Sequence, residues 1–289
     1  MASSPLSLNS KVDSFRDLAG RRQRRVRLPS LAGLRPGRWW WLLSLPILGF
    51  LTLPLLALLL RVPLDRLWVT LSTPAVYQAI SLSLTTSAIT TGVTILSGTP
   101  LAYLMARRQF PLKRVVDTLI DLPTVLPPAV AGVALLMAFG RRGMVGSYLE
   151  AWGLHIAFTQ AAVVMAQTFV AAPLYLKSAI AGLAEVQPEL EQAAALDGAG
   201  DWQVFRRITL PLARRALLTG VVMTWARALG EFGATIIFAG NFPGRTQTMP
   251  LAIYLGFELD LSVALTLSLL LMGCSFLTLI LVKNFFQRT

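Results

Sequence analysis

The chain has 289 residues, 55% of them hydrophobic and only 14% charged, with a formal net charge of +12 at pH 7. A soluble domain carries about a quarter charged residues, so this composition excludes an ordinary globular protein and places most of the chain in a bilayer. The single cysteine, Cys274, lies in an apolar run and excludes a disulfide framework within the chain.

Residues 1–38 are polar and carry Arg21, Arg22, Arg24, Arg25, Arg27, Arg35 and Arg38 without hydrophobic period. They read as a disordered tail whose basic stretch lies against anionic headgroups; a nucleic-acid arm is the alternative. The apolar run that follows is too long for a signal-peptide core. It forms the first predicted span, 39–60, with Trp39, Trp40 and Trp41 at its interface. The second span, 79–105, is rich in hydroxyls (Thr85, Thr86, Ser87, Thr90, Thr91, Thr94), which favour close helix contacts in lipid and put this helix inside a bundle. The third, 116–139, carries Pro123, Pro127 and Pro128. Prolines so spaced kink or break a helix, which in a membrane is tolerated where protein or a water-filled cavity satisfies the freed carbonyls. Either a pathway-lining segment or a packing kink follows from that.

A loop with Arg141, Arg142 and His155 precedes the fourth span, 156–176; His155, the only histidine, has no Cys, Asp or Glu cluster and reads as a surface residue. The fifth span, 216–239, contains Arg227 and Glu231, the loop 240–260 reads as polar and turn-rich, and the sixth span is 261–282. Six spans put both termini on one side. That side carries twenty basic residues against five on the other, which predicts cytoplasmic termini.

Between spans four and five lies a polar insert, 185–220, with a coupling loop at 185–215. Residues 188–196 are good helix formers, and Gly198 and Gly200 end that helix. Asp201 can cap a second short helix, 202–209, which Pro211 limits. The product is a compact knob shaped to dock into something in the cytoplasm, unless it is an ordinary helical hairpin. Gln192-Ala193-Ala194, Gly198-Ala199, Phe205, Ile208 and Leu210-Pro211 fall in the register of the E-A-A loop, and the segment resembles the cytoplasmic loop of bacterial ABC importer permeases. Gln192 stands at the usual glutamate position, with Glu191 one residue earlier.

No enzymatic machinery is legible. None of Lys11, Lys113, Lys177 and Lys283 follows a glycine, so a nucleotide-binding loop is missing, and neither H-E-x-x-H nor paired cysteines occur. Arg227 and Glu231 are the informative charges. Deep in a span each costs at least ~2.5 kcal/mol on insertion scales, so they face protein or water, and at i, i+4 they can neutralise one another. A structural ion pair and a gate or point of positive field in an anion pathway are both open readings.

The run Arg227-Ala228-Leu229-Gly230-Glu231-Phe232-Gly233-Ala234-Thr235 resembles the fifth-span signature of the molybdate and sulfate branch of these permeases. Residues 121–132, with Leu126-Pro127-Pro128, are similar to that branch's third-span motif, and 240–254 looks more like molybdate permeases. The resemblance runs from about Tyr77 to Lys283. It implies an all-α integral membrane protein of the bacterial inner membrane, with six transmembrane helices over 39–289, working as a pair of copies, a homodimer in the molybdate branch. It further implies a periplasmic binding protein that delivers the oxyanion, and two ATP-binding cassette subunits that use ATP and Mg, with no cofactor, metal or nucleic acid held by this chain. ATPase coupling would fall to Glu191, Gln192, Ala193, Ala194, Gly198, Ala199, Phe205, Ile208 and Pro211, with Trp202, Phe205 and Ile208 as apolar anchors. The pathway or gate would fall to Pro127, Pro128, Arg227, Glu231, Gly233 and Thr235. The rivals are a sulfate or tungstate permease of the same build, an ATP-independent secondary anion carrier, for which only Arg227 and Glu231 offer themselves, and an intramembrane enzyme, which lacks a nucleophile and base.

Overall fold

The computed structural model describes residues 38–62 and 64–287, and every regular element among them is a helix. The basic tail expected over 1–38 lies, up to residue 37, outside the described residues. The chain divides into two units, Met1–Leu55 and Leu56–Thr289. The described part of the first belongs to α1 (Arg38–Arg61), an apolar helix that Pro46 and Pro54 do not interrupt and whose Trp39, Trp40 and Trp41 are exposed.

The second unit continues through α2 (Leu64–Leu71), α3 (Pro74–Arg107), α4 (Lys113–Val125), α5 (Pro128–Phe139), α6 (Gly146–Ala151), α7 (Gln160–Glu185) and α8 (Pro188–Leu196). After α9 (Asp201–Val204) comes a π-helical turn (Phe205–Thr209), then α10 (Leu210–Leu229), α11 (Gly233–Phe238), α12 (Met249–Leu259) and α13 (Leu261–Gln287). Among the described residues four helices, α1, α3, α7 and α13, are long and apolar enough to cross a membrane, and the bent pair α4–α5 would make five.

The centre of this unit is the packing of α3, α7 and α10 around Ala102, Tyr175, Leu176, Ala179, Leu183 and Leu217. One face of α3 is polar and still inside: Ser83, Thr86, Ser87, Thr90, Thr91 and Thr94 are buried, while Thr85 is exposed. These hydroxyls mostly return a hydrogen bond to the preceding turn, as Thr86 does to Leu82 O and Thr94 to Thr90 O, which spares them the cost of burial. A few cross between helices. Thr90 donates to Gln167 Oε1 at 3.0 Å, Ser178 donates to Ala216 O at 2.6 Å, and Ser83 Oγ accepts the Met249 N–H at 2.7 Å. Small residues and such bonds hold helices together where lipid offers no hydrophobic drive.

Five sequence expectations change. The segment 216–239 is not one span: α10 stops at Leu229, and Gly230-Glu231-Phe232 separates it from α11. The fourth span does not end at 176, because α7 runs to Glu185, so Lys177 is a helical residue whose ammonium meets Asp117 and Asp121 of α4 at 2.7 and 2.9 Å. The region 240–260 is not all turn. Pro250 sits in the first turn of α12, where its missing N–H is harmless, and Met249, Leu251 and Ala252 are buried. Gly200, not Asp201, precedes the first turn of α9; its N–H donates to Gln203 Oε1 at 3.3 Å, and Asp201 begins the helix, where its charge suits the dipole. Pro211 does not end a helix. The π-turn lets Leu210 N–H reach Phe205 O, and this wider turn relieves the clash that a proline ring makes with the carbonyl four residues back. Backbone thus runs helically from Asp201 to Leu229.

Candidate functional site

The residues singled out by sequence fall in two places joined by α10. The first is the knob. Gly198 takes φ +87°, the left-handed conformation that ends α8, and a Cβ there would meet only open space. Its role is therefore conformational. The chain then turns through Gly200 into α9. Gln192, Ala193, Gly198 and Pro211 are exposed; Ala194, Ala199, Phe205 and Ile208 are half-buried. Leu196 is 89% and Trp202 68% exposed, so two large apolar side chains stand at the tip of the knob. Trp202 stacks on Phe205 at 5.7 Å between ring centroids, and Phe205 meets the edge of Tyr103 on α3 at 5.3 Å. Beneath the rings is a cleft of about 1000 Å³ lined by Thr99, Tyr103, Arg107, Glu191, Trp202 and Phe205, among others.

Glu191 faces inward. Its Oε1 accepts from Arg107 Nη2 at 2.7 Å and from the Thr209 hydroxyl, while Arg107 Nη1 donates to Val186 O at 3.0 Å. Sequence reading missed Arg107, Thr209 and Tyr103. In the sequence Arg107 counts only among the twenty basic residues that set orientation, and no local pattern links it to a carboxylate 84 positions away.

The second place is a meeting of two helix breaks. Pro127 and Pro128 open α5, which bends 118° from α4. The prolines therefore break the span outright. Gly233 opens α11 directly against Pro128: a Cβ on Gly233 would lie 2.7 Å from Pro128 Cβ. One turn on, a Cβ on Gly132 would lie 2.8 Å from both Ala234 O and Ile237 Cβ. Only glycine permits this approach, and Ala131, Leu135, Ala234 and Phe238 close the core around it. Glu231, in the gap between α10 and α11, is 1% exposed. Its Oε2 accepts from Arg227 Nη1 at 2.7 Å and its Oε1 accepts the Ala234 N–H at 2.9 Å. The pair foreseen at i, i+4 forms, but Glu231 is a break residue that satisfies the Ala234 amide in the first turn of the next helix, not a member of one continuous face. Thr235 is fully buried and its hydroxyl has no partner. Pro127, Pro128 and Gly230 are exposed, and Arg227 is half-buried. No group of three or more potential metal ligands occurs among the described residues.

Residues 98–289 match the family described as "Binding-protein-dependent transport system inner membrane component". The chain belongs to this family. It is a multi-pass inner-membrane component of a transport system and not itself an enzyme. Among relatives, the molybdenum transport system permease protein ModB of Mycobacterium tuberculosis is 46% identical over 235 residues, covering 81% of this chain and 89% of that protein. The sulfate transport system permease protein CysW of Synechococcus elongatus is 38% identical over 213 residues, covering 73% and 74%. The solved structure of a bacterial alginate ABC transporter, in complex with an alginate pentasaccharide-bound periplasmic protein, shares the fold at a TM-score of 0.63 and 17% identity, over 96% of this chain and 95% of that one.

Proposed function

We propose that this chain is the permease subunit of an ATP-driven importer that carries molybdate across the inner membrane. The observation that carries the reading is the unbroken helical path from the knob to the second break. From Asp201 the backbone stays helical to Leu229, and α10 alone spans about 30 Å at 1.5 Å per residue. A push on Trp202 at one end is thereby delivered to Arg227 and Glu231 at the other. Two ATP-binding cassette subunits, which use ATP and Mg, dock on the knob, and a periplasmic binding protein supplies the anion on the opposite face. On this reading the chain crosses six times, counting broken segments at α4–α5 and α10–α11, which leaves both termini on one side, and the basic-residue bias favours the cytoplasm as that side. Two identical copies enclose the pathway, and the exposed residues Pro127, Pro128 and Gly230 face it in this reading. The Arg227 guanidinium offers a positive point to a dianion there, and Glu231 tempers it so that the anion can leave. Glu191, Gln192, Ala193, Ala194, Gly198, Ala199, Phe205, Ile208 and Pro211 form the coupling region; Gly233 and Thr235 belong to the gate.

Sulfate is the second reading, favoured by the 38% identity to a sulfate permease, and it ranks behind molybdate because the molybdenum permease relative is more similar over more of the chain. The test is purification through a tagged copy, identification of what comes with it, and uptake by vesicles holding the complex. Molybdate uptake that needs ATP and is not displaced by equimolar sulfate is expected. Uptake by vesicles that lack any ATPase would sink the proposal in favour of a secondary carrier.

A further inference from the structure

Of the nine residues of α8, none is buried, and only Glu191 and Ala194 are even partly covered. An isolated helix this short is unstable in water, so its position depends on what ties it to the body. Among the described residues the one charged tie is Glu191. Arg107 is the last residue of α3, Val186 follows the end of α7, and Thr209 closes the π-turn that leads into α10. The Arg107–Glu191 pair, with Thr209 on the same carboxylate oxygen and the Val186 carbonyl on the same guanidinium, therefore gathers α8 and the ends of the three central helices at one point. Both side chains are largely covered, 14% and 15% exposed, and Glu191 Oε1 accepts two internal bonds. Gln192, one residue and about 100° further round the helix, is exposed together with Ala193 and Leu196.

Building on the functional reading above, we propose that Glu191 is a positioning residue: through Arg107 and Thr209 it fixes the coupling helix to α3, α7 and α10, so that displacement of the helix moves all three, while Gln192, Ala193 and Leu196 meet the ATPase. Removing one partner of a covered pair leaves the other without its counter-charge, so the loss falls on transmission and not on recruitment.

The experiment uses the full complex in vesicles with its ATPase and binding protein, and reads ATPase recovered on purification, the KM for ATP, and anion moved per ATP hydrolysed. For Glu191→Ala the expected result is normal ATPase recovery, a KM within twofold of wild type, and at least a tenfold fall in anion moved per ATP. Glu191→Gln, which still accepts both bonds, recovers most of the coupling, and the reciprocal exchange of Arg107→Glu with Glu191→Arg recovers part. Thr209→Val removes one bond and no charge, giving a two- to fivefold fall; it decides the matter if Glu191→Ala does not accumulate. Wild-type coupling in Thr209→Val and Glu191→Ala overturns the inference. So does loss of the ATPase from Glu191→Ala without recovery in the exchange, which makes Glu191 a contact. Absence of the ATPase from the wild-type preparation is a different failure: it overturns the functional reading and this inference with it.

Discussion

Arg107–Glu191 and Arg227–Glu231 are both joined at 2.7 Å, yet their surroundings differ. The second pair is local, four residues apart, and its carboxylate is sealed at 1% exposure while it also satisfies the amide of Ala234. The first pair is 84 residues apart in sequence and sits where the knob meets the helix ends. Equal length therefore says little about role. A sealed carboxylate that completes a helix break governs whether the break can exist. A carboxylate that ties a surface helix to the bundle governs whether motion passes between them.

The sharpest way to break this contrast is Glu231→Ala. It leaves Arg227 without its counter-charge and the Ala234 amide without its acceptor, an expected cost of about 3 kcal/mol. Thermal unfolding in detergent should drop markedly and uptake should vanish; Arg227→Ala should also impair transport, and the double variant should lose less than the two singles added. Strict additivity would show that the two side chains do not act as a pair. Next in size is Gly132→Leu, whose side chain must enter space held by Ala234 O and Ile237 Cβ. Overpacking of this kind costs about 2 kcal/mol, and it should lower yield and stability without changing what purifies with the chain. Unchanged stability would mean that the two breaks do not touch.

Gly198→Pro tests the other region. Proline cannot take φ +87°, so the corner after α8 must rebuild, yet nothing in the bundle packs on it. The protein should insert and remain stable while substrate-stimulated ATP hydrolysis falls at least tenfold; a charge at Ala194 should act the same way. Normal stimulation in either would remove the knob from coupling. The smallest effect is expected from Lys177→Ala. Its bonds to Asp117 and Asp121 are half-exposed, and exposed pairs contribute about 0.5 kcal/mol. A change in melting temperature of more than a few degrees would show that the clasp between α4 and α7 matters more than its exposure suggests.

The helix positions were largely legible because a bilayer demands long apolar runs and hydroxyl-rich faces mark packed ones. The polar face of α3 was readable from Thr86 to Thr94, and the break before α5 was readable from three prolines. The break after Leu229 was not. Gly230 alone is tolerated in many helices, and the reason the helix stops is that Glu231 turns to serve Ala234 while Gly233 closes on Pro128, a residue of another span. Pro211 misled for a related cause: its effect depends on the backbone four residues earlier, and a π-turn there lets the helix continue.

Sequence by itself determined that the chain is a helical membrane protein without a nucleotide-binding loop, carries a glycine-cornered insert, and holds one charged pair within helical reach. Those features follow from residue type and from spacings of a few positions, which local sterics and transfer energies govern. Only the tertiary structure decided that the insert's second helix fuses with α10, that Glu191 points to Arg107 and not outward with Gln192, and that the two helix breaks lie against each other. The first rests on the geometry of one π-turn, which residue type does not announce; the other two depend on contacts between segments far apart in the chain, where the energy of packing and of burying a charge overrides what any single stretch prefers.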